Sequence, residues 1–489
     1  MLNNSRLNRQ KKRNNLPVIS SFLGMAFIIV FIGLIGFSSN YEMIYLQIMG
    51  VIGWGVILWS ILTWKYRKRE VFGPYIVFLV SGFVFMFGQS LLLPLNLVAD
   101  KNNLLNTFNQ REIFIAQFYT ILSFLFFHIG ALYSKSNFIT VKSKVSIAID
   151  SIKVMGILLF TFSVIPYAYI TYNDLVISIR YGYGELFRQG SSTGVAAIFM
   201  NISLYFVPSL ICLYIAFNKQ EFQRFIITSI FILVILVEVI IGSRGSAITL
   251  VMILLILRHY LVKNINIKTA IPYGLGAYLT LSFLSVVAKL RSIPNKSLYL
   301  YVQSFFIENN LFSETITELG GSMFPLLQTM RLVPNTYAYR FGSSYLYSFT
   351  TVIPNIGFWD VHPGALHGNL GNWLQEVLNL SYGPGYSMFA ETYINFGWFG
   401  FLFITLFGLL IGYTFSRVNK YNAHKRPEML AFSLIILSLT LMIVRNSFIS
   451  VIRAYFYIGF PILVLIYLIN SLIQQQSSTI KLRKNTTFK

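Results

Sequence analysis

Cysteine is almost missing from this chain. The 489 residues hold one, Cys212, set in an apolar run. No intrachain disulfide can form, and with only five histidines no cysteine-rich zinc site can either. Charge is scarce as well: 11% of residues are Asp, Glu, Lys or Arg, where a soluble globular chain carries about 25%. So few charges cannot cover a water-facing surface, which excludes an ordinary soluble enzyme. A hydrophobic fraction of 55% excludes a disordered tail or a collagen-like fibre. Acids are rarest, 16 against 38 bases, for a formal net charge of +22. That sum fits a nucleic-acid binder or a basic membrane protein, and the positions of the charges decide between them.

What is present is a series of long apolar runs. A span needs about 20 mostly apolar residues, because ~1.5 Å per residue must cross ~30 Å. Twelve runs qualify: 17–37, 44–64, 72–92, 113–133, 151–171, 194–217, 225–241, 246–262, 270–289, 387–415, 428–445 and 455–474. In lipid each must satisfy its own backbone hydrogen bonds, so each is expected to be a helix. The expectation is an all-α polytopic membrane protein of about 12 transmembrane helices. The run at 194–217 contains Pro208, and that at 270–289 contains Pro272, Gly274 and Gly276. No small-residue cleavage pattern follows the run that begins at Leu16, so it reads as an uncleaved first span. No fixed-period repeat and no lipidation motif is visible.

The bases separate by side. One alternate set of connections, with both termini, holds 26 bases against four acids (Glu70, Asp150, Glu221, Glu428), and the other set holds twelve of each. The positive-inside rule places the basic set, and so both termini, in the cytoplasm. The basic residues therefore read as topology. Nucleic-acid binding would need bases interleaved with aromatics on one domain, and none is present. The layout expected is a basic cytoplasmic N-terminus (1–16), spans one to nine (17–289), an extracytoplasmic cap (290–386), spans ten to twelve (387–474) and a basic cytoplasmic tail (475–489).

The cap is the informative segment. Six prolines and several glycines punctuate residues 291–385, yet aromatics stay dense. A disordered linker would lack them, so a folded, helical extracytoplasmic loop is expected, with helices near 297–310, 313–331 and 371–379 and Ser313 as an N-cap. Within it lie Trp359, Asp360 and His362. His362 and His367 lack helical metal-ligand spacing, so His362 reads better as a proton donor or acceptor than as a ligand. At the end of the cap, Tyr386 leads into a run where Glu391, Asn395 and Trp398 fall at i, i+4 and i+7 and share a helix face. A carboxylate entering a span is a functional candidate by default, the plain alternative being an interhelical hydrogen bond. Two further outer features carry arginine. Between Arg180 and Arg188, Tyr181 and Tyr183 alternate with Gly182 and Gly184, fitting either sugar stacking and anion pairing or an interfacial aromatic belt. Arg244, in the turn Gly242-Ser243-Arg244-Gly245, fits either an anion site at a helix start or an ion pair with Glu238.

Three stretches carry a family resemblance: Gly342-Ser343-Ser344-Tyr345 leading to Ile353-Pro354, Gly385-Tyr386-Ser387 through Ala390-Glu391 to Asn395-Phe396-Gly397, and the Gly-Ser-Arg-Gly turn at 242–245. Over roughly 170–475 the chain resembles bacterial Wzy-type polysaccharide polymerases, which join O-antigen or capsule repeat units. The resemblance implies a fold similar to the GT-C membrane glycosyltransferases, no metal or other cofactor, and transfer of a growing glycan from undecaprenyl diphosphate to a new lipid-linked repeat unit on the outer face. Donor and acceptor glycans, the bilayer and a chain-length regulator are the partners it implies. By position, it gives Arg180, Arg188, Arg244, Arg291, Arg340 and Arg445 the role of holding diphosphate. Diphosphate leaves readily, so the chemistry needs charge neutralisation, positioning and a base for the acceptor hydroxyl. Glu391, Asp360 and His362 are the candidates in that order, with Tyr181, Tyr183, Trp359, Tyr386 and Asn395 as stacking or supporting residues. A ligase of finished polymer would share this chemistry. A flippase or other transporter would place polar groups mid-span, whereas here they gather in one cap.

Overall fold

The computed structural model describes residues 15–39, 41–68, 70–134, 148–187, 194–265, 286, 290, 297–307, 311–353, 359–380 and 382–486. Among them every regular element is helical. Ten helices are long and apolar enough to cross a membrane, and an eleventh, Gly245–Leu261, is apolar but shorter. Apart from Val286, the expected span at 270–289 lies outside the described residues, as do Arg188 and Arg291.

The first nine helices are α1 (Leu16–Ser38), α2 (Met43–Lys68), α3 (Pro74–Leu92), α4 (Gln110–Tyr133), α5 (Ile149–Tyr181), α6 (Gly194–Ser203), α7 (Phe206–Ala216), α8 (Glu221–Ile241) and α9 (Arg244–Leu261). The cap contributes α10 (Leu298–Ile307), α11 (Leu311–Gly320), α12 (Phe324–Leu332), α13 (Ser343–Thr350) and α14 (Leu370–Val377). The chain ends with α15 (Met388–Phe396), α16 (Gly400–Phe415), α17 (Pro427–Thr440), α18 (Ile449–Arg453) and α19 (Phe460–Thr486).

The centre is α3, α4 and α17, which are buried along most of their length. Lipid offers no hydrophobic drive between helices, so close packing and hydrogen bonds must join them. Both are present. A Cβ on Gly408 of α16 would meet the Phe127 carbonyl of α4 at 1.9 Å, and one on Gly412 would meet the Ala131 Cα at 2.4 Å. These two glycines, four apart, let the α4 and α16 backbones touch. Buried His128 of α4 hydrogen-bonds the Thr63 hydroxyl of α2 at 2.8 Å and the Tyr75 hydroxyl of α3 at 2.7 Å.

Cross-links at each end define two faces. On one, Gln89 of α3 donates to the Thr317 carbonyl of the cap at 2.8 Å, and Arg331 clasps Glu112 at the start of α4 through two bonds of 2.8 and 2.9 Å. On the opposite face, Lys68 donates to the Ser134 carbonyl at 3.0 Å, and Tyr260 at the end of α9 donates to buried Glu70. That second face carries the connections in which the bases concentrate.

Two local expectations need correction. Ser313 lies inside α11 and is not its N-cap; its hydroxyl donates to the Leu97 carbonyl instead. The run at 387–415 is not one smooth helix: Gly397, at φ +57°, ends α15, and a 3-10 turn at 397–399 precedes α16.

Candidate active site under the cap

Ser387 caps α15, its hydroxyl accepting from the Ala390 N–H at 3.0 Å. This starts the helix so that Glu391 falls in its first turn and Asn395 in its last. Both are 0% exposed. A buried carboxylate is costly unless its oxygens are hydrogen-bonded. Here both are: the Ser344 hydroxyl donates to Oε1 at 2.9 Å, and the Phe448 N–H donates to Oε2 at 2.6 Å. Asn395 completes the network. Its amide nitrogen donates to Ser344 Oγ at 2.8 Å and to the Glu391 carbonyl at 2.7 Å, while its oxygen accepts from the Gly342 N–H at 2.8 Å.

Three segments meet at this carboxylate. The cap segment before α13 is clasped to the end of α15, where the Arg340 and Phe341 N–H groups donate to the Ile394 and Asn395 carbonyls at 2.9 and 3.1 Å. Those carbonyls are among the ones a helix end leaves without partners. The turn between α17 and α18 is held from both sides, by Glu391 on Phe448 and by the Tyr386 N–H on the Arg445 carbonyl at 3.0 Å. Two of the three, the cap segment and the α17–α18 turn, present an arginine. The half-buried Arg340 guanidinium lies 5.2 Å over the Trp373 ring and donates to the His367 carbonyl at 3.0 Å. Exposed Arg445 lies 5.5 Å over the Phe85 ring. Tyr386 is buried against Thr329, hydroxyl to hydroxyl at 3.0 Å. Burial pushes its phenol above the ordinary range, so it serves as a neutral hydrogen-bonding group.

The other expected residues fall elsewhere. Asp360 is exposed. His362 has both ring nitrogens engaged: Nδ1 accepts from the Gly364 N–H at 3.0 Å, so Nε2 donates to the Ile353 carbonyl at 3.0 Å. Trp359 packs edge-on against it at 4.9 Å. Arg180 sits in the last turn of α5, Tyr181 is its exposed last residue, and Tyr183 opens the next 3-10 turn. The Ser178 hydroxyl donates to the Ile241 carbonyl at 2.5 Å, which sets the Arg180 end of α5 beside the turn from which Arg244 opens α9. Glu238 accepts from Tyr167 of α5 at 3.3 Å.

The family model described as O-antigen polysaccharide polymerase Wzy matches residues 18–477, from the first helix through the cap into the last. The chain belongs to that family. No curated protein and no solved structure matches it. Membership makes the chain a multi-pass membrane protein and a glycosyltransferase-type polymerase. The family acts on lipid-linked oligosaccharide repeat units. The match also reaches well before residue 170, where the sequence resemblance began.

Sequence reasoning named Glu391, Asn395, Tyr386, Arg340 and Arg445 separately, and the fold gathers them. It missed Ser344 as a partner, although that residue lies within a quoted motif. It also missed the Phe448 N–H, a backbone donor 57 residues from Glu391 with no signature in the side-chain pattern. Trp398 leaves the Glu391–Asn395 face because the chain turns at Gly397, and it packs on Phe37, Phe118 and Tyr119 instead.

Proposed function

We propose that the chain polymerises undecaprenyl-diphosphate-linked repeat units on the outer face of the bacterial cytoplasmic membrane, with both termini cytoplasmic and the 290–386 cap outside. The observation that carries this reading is the junction at Glu391, where one buried carboxylate ties down the two segments that present Arg340 and Arg445. Family membership and the concentration of bases on the face opposite the cap support it.

In this reading Arg340 and Arg445 neutralise the donor diphosphate as it leaves, with Arg180 and Arg244 as further candidates to hold it. Arginine suits the task because its planar fork pairs two phosphate oxygens and needs no metal. The glycosidic carbon is attacked by a hydroxyl of the incoming unit, the bond to diphosphate breaks, and the hydroxyl proton passes to a base. Glu391, with both oxygens already engaged, is a positioning residue for the arginines. Asp360, an exposed carboxylate, is available as base; it shortly precedes His367, whose carbonyl receives Arg340. His362, Trp359, Tyr386 and Asn395 shape the cap, Tyr181 and Tyr183 offer rings to sugar, and a chain-length regulator docks from outside.

The test is a reconstituted assay with one purified lipid-linked repeat unit. A product ladder supports polymerase. Transfer only to a different acceptor means ligase, and movement between leaflets without new bonds means flippase.

A further inference from the structure

On the cap face a shallow groove, open to solvent, lies between the α1–α2 turn and the start of α4. Tyr41, Phe108, Asn109, Gln110 and Arg111 line it. The Arg111 guanidinium sits 5.6 Å over the Tyr41 ring. Phe108 is buried and the half-buried Tyr41 ring carries the guanidinium, so the exposed side chains of Asn109, Gln110 and Arg111 around that ring are the polar groups that the hydroxyls of a sugar would meet.

The groove is joined to the arginine junction by aromatic rings. Tyr41 is 6.5 Å from Phe37, Phe37 is 6.3 Å from Trp398, and Trp398 is 6.4 Å from Tyr393. Tyr393 is 6.4 Å from Tyr339, and Tyr339 is 6.3 Å from Phe341, the residue after Arg340. Tyr393 is a buried link, whereas Trp398 and Phe341 are exposed, Phe341 to 80%. A membrane-interface belt would also gather aromatics, but a belt does not need strained backbone. Tyr41 at φ +55° and Phe341 at φ +47°, one at each end of the row, hold a left-handed conformation unfavourable for bulky residues. Strain of this kind gathers at binding sites.

We infer that this row and groove form an oligosaccharide subsite that holds the growing glycan as it leaves the arginine junction. The inference rests on the polymerase reading above. The site matters for long products, because only a chain of several sugars reaches from Phe341 to Tyr41.

The test uses the full-length protein in the reconstituted assay and reads the distribution of product lengths. The ratio of long to short products falls at least ten-fold in Tyr41→Ala/Arg111→Ala, and Tyr41→Phe, which keeps the ring, rescues the loss caused by Tyr41→Ala. The single change Arg111→Ser, which removes only the exposed guanidinium over the Tyr41 ring, shortens products as well. An unchanged length distribution in both Arg111→Ser and the double variant overturns the subsite while leaving the polymerase reading standing; absence of a ladder from the wild type sinks that reading instead. A binding measurement separates donor from acceptor. Polysaccharide fragments freed of lipid bind the wild type at least ten-fold more tightly than the double variant. Equal binding of a single free repeat unit and of long fragments would make this an acceptor site and overturn the assignment.

Discussion

Glu391 is the residue on which the junction turns. Its two oxygens answer two donors on different segments. Gln offers one acceptor and one donor: its oxygen can keep the Phe448 N–H, but its NH2 meets Ser344 only if that hydroxyl turns to accept and its own proton finds another acceptor. A misfit of this kind costs about 1–3 kcal/mol. Glu391→Gln is expected to insert and fold with a lower thermal midpoint and to make much shorter polymer, while Glu391→Ala, leaving both donors unanswered, loses stability further. A Glu391→Gln protein of wild-type product length and midpoint would remove Glu391 from the positioning role. Arg340 gives a second test. Lys keeps the charge but loses the fork and the stack on Trp373, so Arg340→Lys recovers only part of the turnover that Arg340→Ala loses. Glu70 gives a pH test. Burial pushes its carboxyl up to about 8, against a bond from Tyr260 that pulls it down. The folded state therefore binds the proton more tightly than the unfolded chain between an ordinary carboxylate pKa and about 8, and stability falls as pH rises through that window. Glu70→Gln is expected to flatten this slope in thermal unfolding from pH 5 to 8.

At the scale of elements, hydropathy made most helices legible. The expected runs at 17–37, 44–64 and 113–133 correspond to α1, α2 and α4, because a lipid-facing helix must be apolar for its whole length. The cap helices near 313–331 and 371–379 also appear, as α11 with α12 and as α14. What hydropathy cannot show is a break inside an apolar run. The turn at Gly397 follows from one positive φ, and no change of composition marks it. Nor does composition show which helices touch. The α4–α16 contact depends on Gly408 and Gly412 meeting carbonyl and Cα atoms of the other helix. Overpacking costs about 1–3 kcal/mol where side chains can give way, and backbone cannot. Gly412→Ile is expected to lower the yield of monodisperse protein in detergent sharply. A wild-type elution profile and midpoint would mean that the two helices separate freely.

Over the whole molecule, the account requires the cap face and the basic face to lie on opposite sides of the membrane. The charge pattern predicts this arrangement, because bases are retained on the cytoplasmic side whatever the tertiary fold. The arginine junction was legible only in part: residue type singled out Arg340, Arg445 and Glu391, but their convergence depends on a segment from beyond α17 folding back onto α15. With Cys212 buried, Val361→Cys is expected to react with an impermeant maleimide in intact cells and Lys425→Cys only after permeabilisation; the reverse pattern would put the cap in the cytosol. The central claim is tested most directly by reconstituting wild type and Arg340→Ala in vesicles with a single defined lipid-linked repeat unit. The wild type is expected to give a ladder of products, and the variant at most trace dimer at equal folded protein. A full ladder from Arg340→Ala, or unextended repeat unit from the wild type, would contradict it.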